Sequence, residues 1–237
     1  MGRRVAALCA LVAVACPVDV AAQRAQPTAQ PLETAATVLA KYEAAMDRAK
    51  VPDVVRFEYA VEQVGPRNIA QTHRVYRSGL TERDELLAAD GLALATPEIR
   101  IIRDRVNRYN VTTLAPRAKD YAFSLLGEQS DGAHTDYVFA TSARAPAAFT
   151  VDSVTIDGLV HLPRSIAYTV SAGGVRGHGT LTFTKADKYW VIEEASATAR
   201  IAGKVARERI VFSRYDFPRS LPDSTFIEPR AGPAPGP

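Results

Sequence analysis

The first periodic stretch of the chain is residues 32–49, "LETAATVLAKYEAAMDRA". Ala35, Val38, Leu39, Tyr42, Ala45, Met46 and Ala49 recur at spacings of three and four, the apolar stripe of an amphipathic helix. Glu33 and Thr34 supply an acidic and a capping group at its start, and Pro52 bars its continuation. Beyond it the period changes to two. In "DVVRFEYAVEQV", Val55, Phe57, Tyr59 and Val61 share one face of a strand while Arg56, Glu58 and Glu62 share the other. About a dozen such segments follow, among them "IAQTHRVYRSG", "EIRIIRD", "DYAFSLLG", "TDYVFAT", "RSIAYTV", "KYWVIEEASATARI" and "KVARERIVFSRYDF", punctuated by Gly, Pro and Asp. The pattern predicts a mainly β chain with one N-terminal helix. Residues 85–98, "ELLAADGLALATPE", are the best candidate for a second helix, short because of Gly91 and Pro97.

The glycine-rich "SAGGVRGHGT" at 171–180 raises the question of a phosphate loop. Such loops deliver their amides at the start of a helix. Here the flanks are "IAYTV" and "TLTFT", alternating and β-branched, so the glycines serve a hairpin.

The ends read differently. "MGRR" followed by the apolar "VAALCALVAVAC" and by Val20 and Ala22 at the −3 and −1 positions predicts a cleaved secretory signal over 1–22, and hence a periplasmic location. Residues 23–31 form a polar leader, 32–226 a single domain, and 227–237 a Pro/Gly-rich tail with no structure of its own. Both cysteines, Cys9 and Cys16, lie inside the signal, so the mature chain of about 215 residues is held by its core alone. "AVA" before Cys16 is a poor match to a lipid-attachment box, which makes a lipid-anchored outer-membrane form the lesser alternative. Losing Arg3, Arg4 and Asp19 takes the net charge from +3 to +2, too small an excess to point to nucleic acid.

Candidate chemistry is sparse. His73, His134, His161 and His178 form no i, i+4 pair and have no cysteine neighbours, so no metal site is expected, and His134 and His178 read as turn residues. No nucleophile elbow or zinc-hydrolase motif occurs. Glu193 and Glu194, adjacent on a strand, point to opposite faces. No enzyme and no cofactor is expected. What stands out is the supply of large apolar residues at alternating strand positions. One helix of five turns cannot hide the apolar face of so large a sheet, so either the sheet curls onto itself or part of that face stays open to something apolar.

The order of elements resembles a known group. A signal, the "VLAKYEAAMDRA" helix, "FEYAVEQ", a strand ending in "VYRSG", and then "VTIDGLVHLPRSIAYTV…GHGTLTF…KYWVIEEASATARIAGKVARERIVFSRYDF" with "SLPDSTF" near the end are similar to the periplasmic lipoprotein-sorting carriers of the LolA/LolB-like superfamily. The resemblance covers residues 32–226 and lies in order and spacing. It implies a half-open, strongly curved antiparallel barrel with the helix in its mouth and a concave apolar face that receives acyl chains. On that reading Val55, Phe57, Tyr59, Tyr76, Tyr109, Phe123, Phe139, Tyr168 and Trp190 line the lipid-binding face, and Arg77, in "VYRSG", matches an arginine that latches a lid. The implied partners are a lipid or lipidated protein and envelope transport proteins, with the carrier a monomer. The alternative is an envelope interaction or sensing module whose sheet is fully packed.

Overall fold

The computed structural model describes residues 33–103, 110–130, 134–201 and 203–228. The expected signal, the whole leader, most of the tail and Tyr109 lie outside the described residues.

The N-terminal helix is α1 (Ala35–Arg48). Thr34 is its N-cap and accepts a hydrogen bond from the Thr37 amide at 3.3 Å; Val38, Tyr42 and Met46 are the buried members of the stripe. Eleven strands follow: β1 (Val54–Val64), β2 (Ile69–Ser78), β3 (Thr81–Ala89), β4 (Leu92–Ile102), β5 (Tyr121–Ser130), β6 (Thr135–Ala143), β7 (Phe149–Ile156), β8 (Pro163–Ala172), β9 (Val175–Ala186), β10 (Tyr189–Ile201) and β11 (Lys204–Asp216). A short helix α2 (Val111–Leu114) lies between β4 and β5, and a 3-10 turn (Asp223–Phe226) follows β11.

All eleven strands form one antiparallel sheet in the order β4-β3-β2-β1-β11-β10-β9-β8-β7-β6-β5. The strands from β1 to β4 and from β5 to β11 each run as a meander of neighbours, and β1 pairs with β11 to join the two series. β4 and β5 are left as opposite edges of an unclosed, curved sheet. They are also consecutive in the chain, and the described part of the crossing between them is residues 110–120. This crossing carries α2, touches β10 through an Asn110–Val191 bridge, and buries Val111 and Ala115. α1 and the crossing belong to the same apolar cluster as the inner face of the sheet.

Residues 85–98 are not a second helix; they are the β3–β4 hairpin. Asp90 and Gly91 both have positive φ, +52° and +79°. An Asp-Gly pair with that backbone forms the two-residue turn whose twist matches antiparallel strands, and this outweighs the helix preference of the Leu and Ala around it. The β8–β9 connection is a hairpin as well, turning at Gly173 and Gly174 with φ of +58° and +79°.

Candidate functional site: the inner face of the open sheet

Which residues face inward follows from the register. Phe57 opposes Val75 on β2, Val55 opposes Arg77, and Tyr59 opposes His73 and, on the other side, Phe212 of β11. Their neighbours Arg56, Glu58 and Arg74 point outward, where exposed and half-exposed ion pairs hold them: Glu58 with Arg74 and Arg214, and Arg56 with Asp216. The alternating charges of "RERIVFSRYD" thus sit largely on a solvated face, as the Arg209–Glu194 pair at 2.7 Å also shows.

The inner face divides into two zones. In the first, α1 and the crossing segment seal the sheet. Val55, Phe57, Val75, Phe139, Val154, Ile156 and Ile166 are buried there, Phe57 and Phe139 completely. Tyr42 of α1 meets the Phe123 ring at 6.1 Å and donates its hydroxyl proton to the Pro116 carbonyl oxygen at 2.7 Å, tying α1 to the crossing. Burial, with Glu43 adding to it, raises the Tyr42 pKa, so the phenol stays neutral. On the solvent side, Arg117 reaches both Glu43 and Asp47, and Glu43 also accepts the Ala118 amide.

The sealed zone includes two polar groups. Arg77 and Glu82, opposite each other on β2 and β3, form a buried ion pair at 3.4 Å. Next to them Asp84 accepts from the Tyr59 hydroxyl at 3.1 Å and contacts His73 Nδ1 at 2.8 Å, while the Tyr59 and His73 rings stack at 4.6 Å.

The second zone lies further along the same strands. Its rows run Val61–Ile210–Ala195, then Gln63–Glu208–Ala197–Gly179–Tyr168, then Ala206–Ala199–Gly177–Val170. Apart from Ala206, all of these are only half-buried. The floor is made of small residues because neighbouring groups approach the backbone closely here: a Cβ on Gly179 would lie 2.2 Å from the Ser196 carbonyl oxygen and 2.6 Å from the Tyr168 hydroxyl. The Tyr168 ring therefore lies across Gly179 and stacks on Phe149 at 5.1 Å. Desolvation, and then the Glu208 carboxylate, raise the Tyr168 pKa.

Of the nine residues expected to line a lipid face, Val55, Phe57 and Phe139 are buried in the sealed zone; Tyr59, Phe123 and Trp190 are half-buried against it. Tyr168 floors the uncovered zone. Tyr76 opposes Arg56 and Arg83, on the opposite face from Phe57. The expected lid latch, Arg77, pairs across to β3.

One cluster has no counterpart in the sequence patterns. His134, Asp136 and Asp157 bring ligand-type atoms within 4.8 Å of one another, a spacing suited to a cation. The guanidinium of Arg164 already occupies the middle, bonded to His134 and 3.1 and 3.3 Å from the two carboxylates. Burial opposes the charge on Asp157, but the Val160 and Leu159 amides and Arg164 outweigh it and lower its pKa. These contacts hold the 157–162 turn in place. "AHTD", "TIDGLV" and "LPR" lie too far apart in the chain to be read as one site.

The architecture is that of an open antiparallel half-barrel with a helix and a crossing strap on its inner face. No family model and no curated protein sequence matches the chain. Among solved structures it is similar to a LolA superfamily protein from Nitrosomonas europaea, at 14% identity and a TM-score of 0.42, over 83% of this chain and 99% of that one. A putative outer membrane lipoprotein-sorting protein domain from Vibrio parahaemolyticus aligns at 13% identity and 0.47, over 81% and 97%. A DUF1329 family protein from Desulfovibrio piger aligns at 12% identity and 0.44, over 80% and 97%.

Proposed function

We propose that this is a non-enzymatic binding or carrier protein of the cell envelope that holds a lipid, or the acyl chain of a lipidated protein, against the uncovered zone of its inner face. The observation that supports this reading is the second zone itself. An apolar surface of Val61, Ile210, Val170 and Tyr168 over a floor of Ala and Gly stays half-exposed, while the rest of the same face is sealed by α1 and the crossing. A soluble domain that needed only a core has no reason to leave that strip uncovered. Burying about 14 methylenes at ~0.8 kcal/mol each yields roughly 11 kcal/mol before ordering costs of several kcal/mol. That net affinity suits a chain that is held and then handed on. The signal-like N-terminus supports a periplasmic site of action.

Native mass spectrometry of protein purified from a bacterial host tests this. Adducts of lipid mass that vanish on delipidation are expected. A clean apo mass, with no uptake from added fatty acid, would favour the alternative reading as a protein-docking module, which the position of β4 and β5 as edge strands among the described residues supports.

A further inference from the structure

Far from the uncovered zone, at the other end of β9 and β10, a hollow of about 320 Å³ opens where α1 ends. Gly179 and Lys185 are separated by roughly 20 Å along β9 at the usual strand rise. The walls are Ala45 of α1 and its C-cap Ala49, Val160 and Leu162 of the 157–162 turn, and Tyr189 and Trp190 of β10. They are rigidly placed. The indole of Trp190 donates to the Pro163 carbonyl oxygen at 2.7 Å, the Tyr189 ring packs on Phe217 at 4.4 Å, and Asp157 pins the turn through the Leu159 and Val160 amides. Val160 is 46% exposed, an apolar side chain held in water at the lip.

The rim is basic. Arg48 and Lys50 come from the end of α1, Lys185 and Lys188 from either side of the β9–β10 turn, and no acidic side chain lines the hollow. None of the four makes an ion pair with an acid among the described residues. Asp47, beside Arg48, is engaged by Arg117. Lys188 Nζ lies 5.2 Å from the centre of the Tyr189 ring. Four basic side chains around one apolar hollow, none paired with an acid among the described residues, give a positive rim suited to an external anion.

We propose that this hollow is a second binding site on the chain, and that it takes one acyl chain carrying an anionic headgroup: the chain enters between α1 and Trp190, and the headgroup meets Arg48, Lys50, Lys185 and Lys188. The volume is at the low end of small-molecule sites, roughly 300–1,000 Å³, which suits a single chain rather than a multiply acylated anchor. The inference goes beyond the carrier reading and stands on different residues.

Trp190 is the single tryptophan of the chain and lines both this hollow and the neighbouring one that Arg164 and Thr184 border, so its fluorescence reports on binding at this end of the sheet and not in the uncovered zone. The full mature chain is titrated with lysophosphatidylglycerol and with lysophosphatidylcholine of the same chain length, both below micelle formation. A Trp190 shift at about tenfold lower concentration of the anionic lipid is expected, weakened by salt, and the exposed pair Lys185→Gln/Lys188→Gln should erase about tenfold of that preference while leaving the zwitterionic lipid unaffected. Equal response to the two lipids, or a preference untouched by the double substitution, overturns the proposal. So does the same shift with inorganic phosphate alone, which would make the rim a simple anion site, or a shift with phosphatidylglycerol vesicles only, which would make it a bilayer-docking patch. Co-purifying lipid with a silent Trp190 sinks this inference and leaves the carrier reading standing; a responsive Trp190 without lipid uptake elsewhere does the reverse.

Discussion

Tyr42 carries a hydroxyl into the fully buried part of the core and finds its acceptor on the crossing segment, at Pro116. Replacing it by phenylalanine keeps the ring against Phe123 but leaves a buried carbonyl without its donor. Tyr42→Phe should therefore cost about 1–3 kcal/mol in chemical denaturation. The Arg77–Glu82 pair follows a harsher rule, because removing one partner strands a charge in the interior. Arg77→Met should destabilise by about 3–5 kcal/mol, whereas Arg209→Met, whose partner Glu194 is on the outer face, should leave the denaturation midpoint nearly unchanged. At Asp157 the sign of the pH dependence is fixed by the lowered pKa. A carboxylate depressed in the folded state contributes stability above its unfolded pKa, near about 4, and loses it as the pH falls through the folded value. Asp157→Asn should be less stable at neutral pH, and its denaturation midpoint should fall less steeply below about pH 4 than that of the unsubstituted protein.

At the level of elements, what could be read from the sequence was what repeats. α1 was legible because its stripe runs through four turns, and β1 because Val55, Phe57, Tyr59 and Val61 alternate without a break. The Asp90-Gly91 turn was present in the sequence too, but Leu86, Leu87 and the alanines around it masked it with helix formers. Within residues 110–120, "NVTTL" reads as a strand from its β-branched residues but folds as the short helix α2. The course of the crossing is set by the placement of β4 and β5 on opposite edges, which only the pairing of the whole sheet decides. Pairing also separates Tyr76 from its neighbour Arg77: one residue along a strand exchanges the faces. The need for glycine in β9 is a further feature of pairing, since only the close approach of Ser196 and Tyr168 gives Gly179 its role. Gly179→Ala should destabilise by about 1–3 kcal/mol through overpacking against backbone. Thermal unfolding checks it.

For the molecule as a whole, the division of the inner face separates stability from cargo. Phe139 lies completely buried in the sealed zone, packed edge-on to Phe123 at 6.2 Å, and no ligand can reach it without unfolding the core. Ala197 lies in the middle row of the uncovered zone between Gly179 and Glu208, half-exposed and facing open space along the strip. Phe139→Ala should lower stability by about 3–5 kcal/mol while the molecules that remain folded take up lipid as before. Ala197→Phe fills the strip with a ring at a position that carries little of the core's packing, so its thermal midpoint should move by only a few degrees and its uptake of a fluorescent fatty acid should fall severalfold. A protein that held its cargo through the sealed aromatic residues would give the opposite pair of results, with Phe139→Ala losing uptake per folded molecule and Ala197→Phe binding normally. A protein that bound no lipid would show neither difference, because the two zones would then differ only in packing.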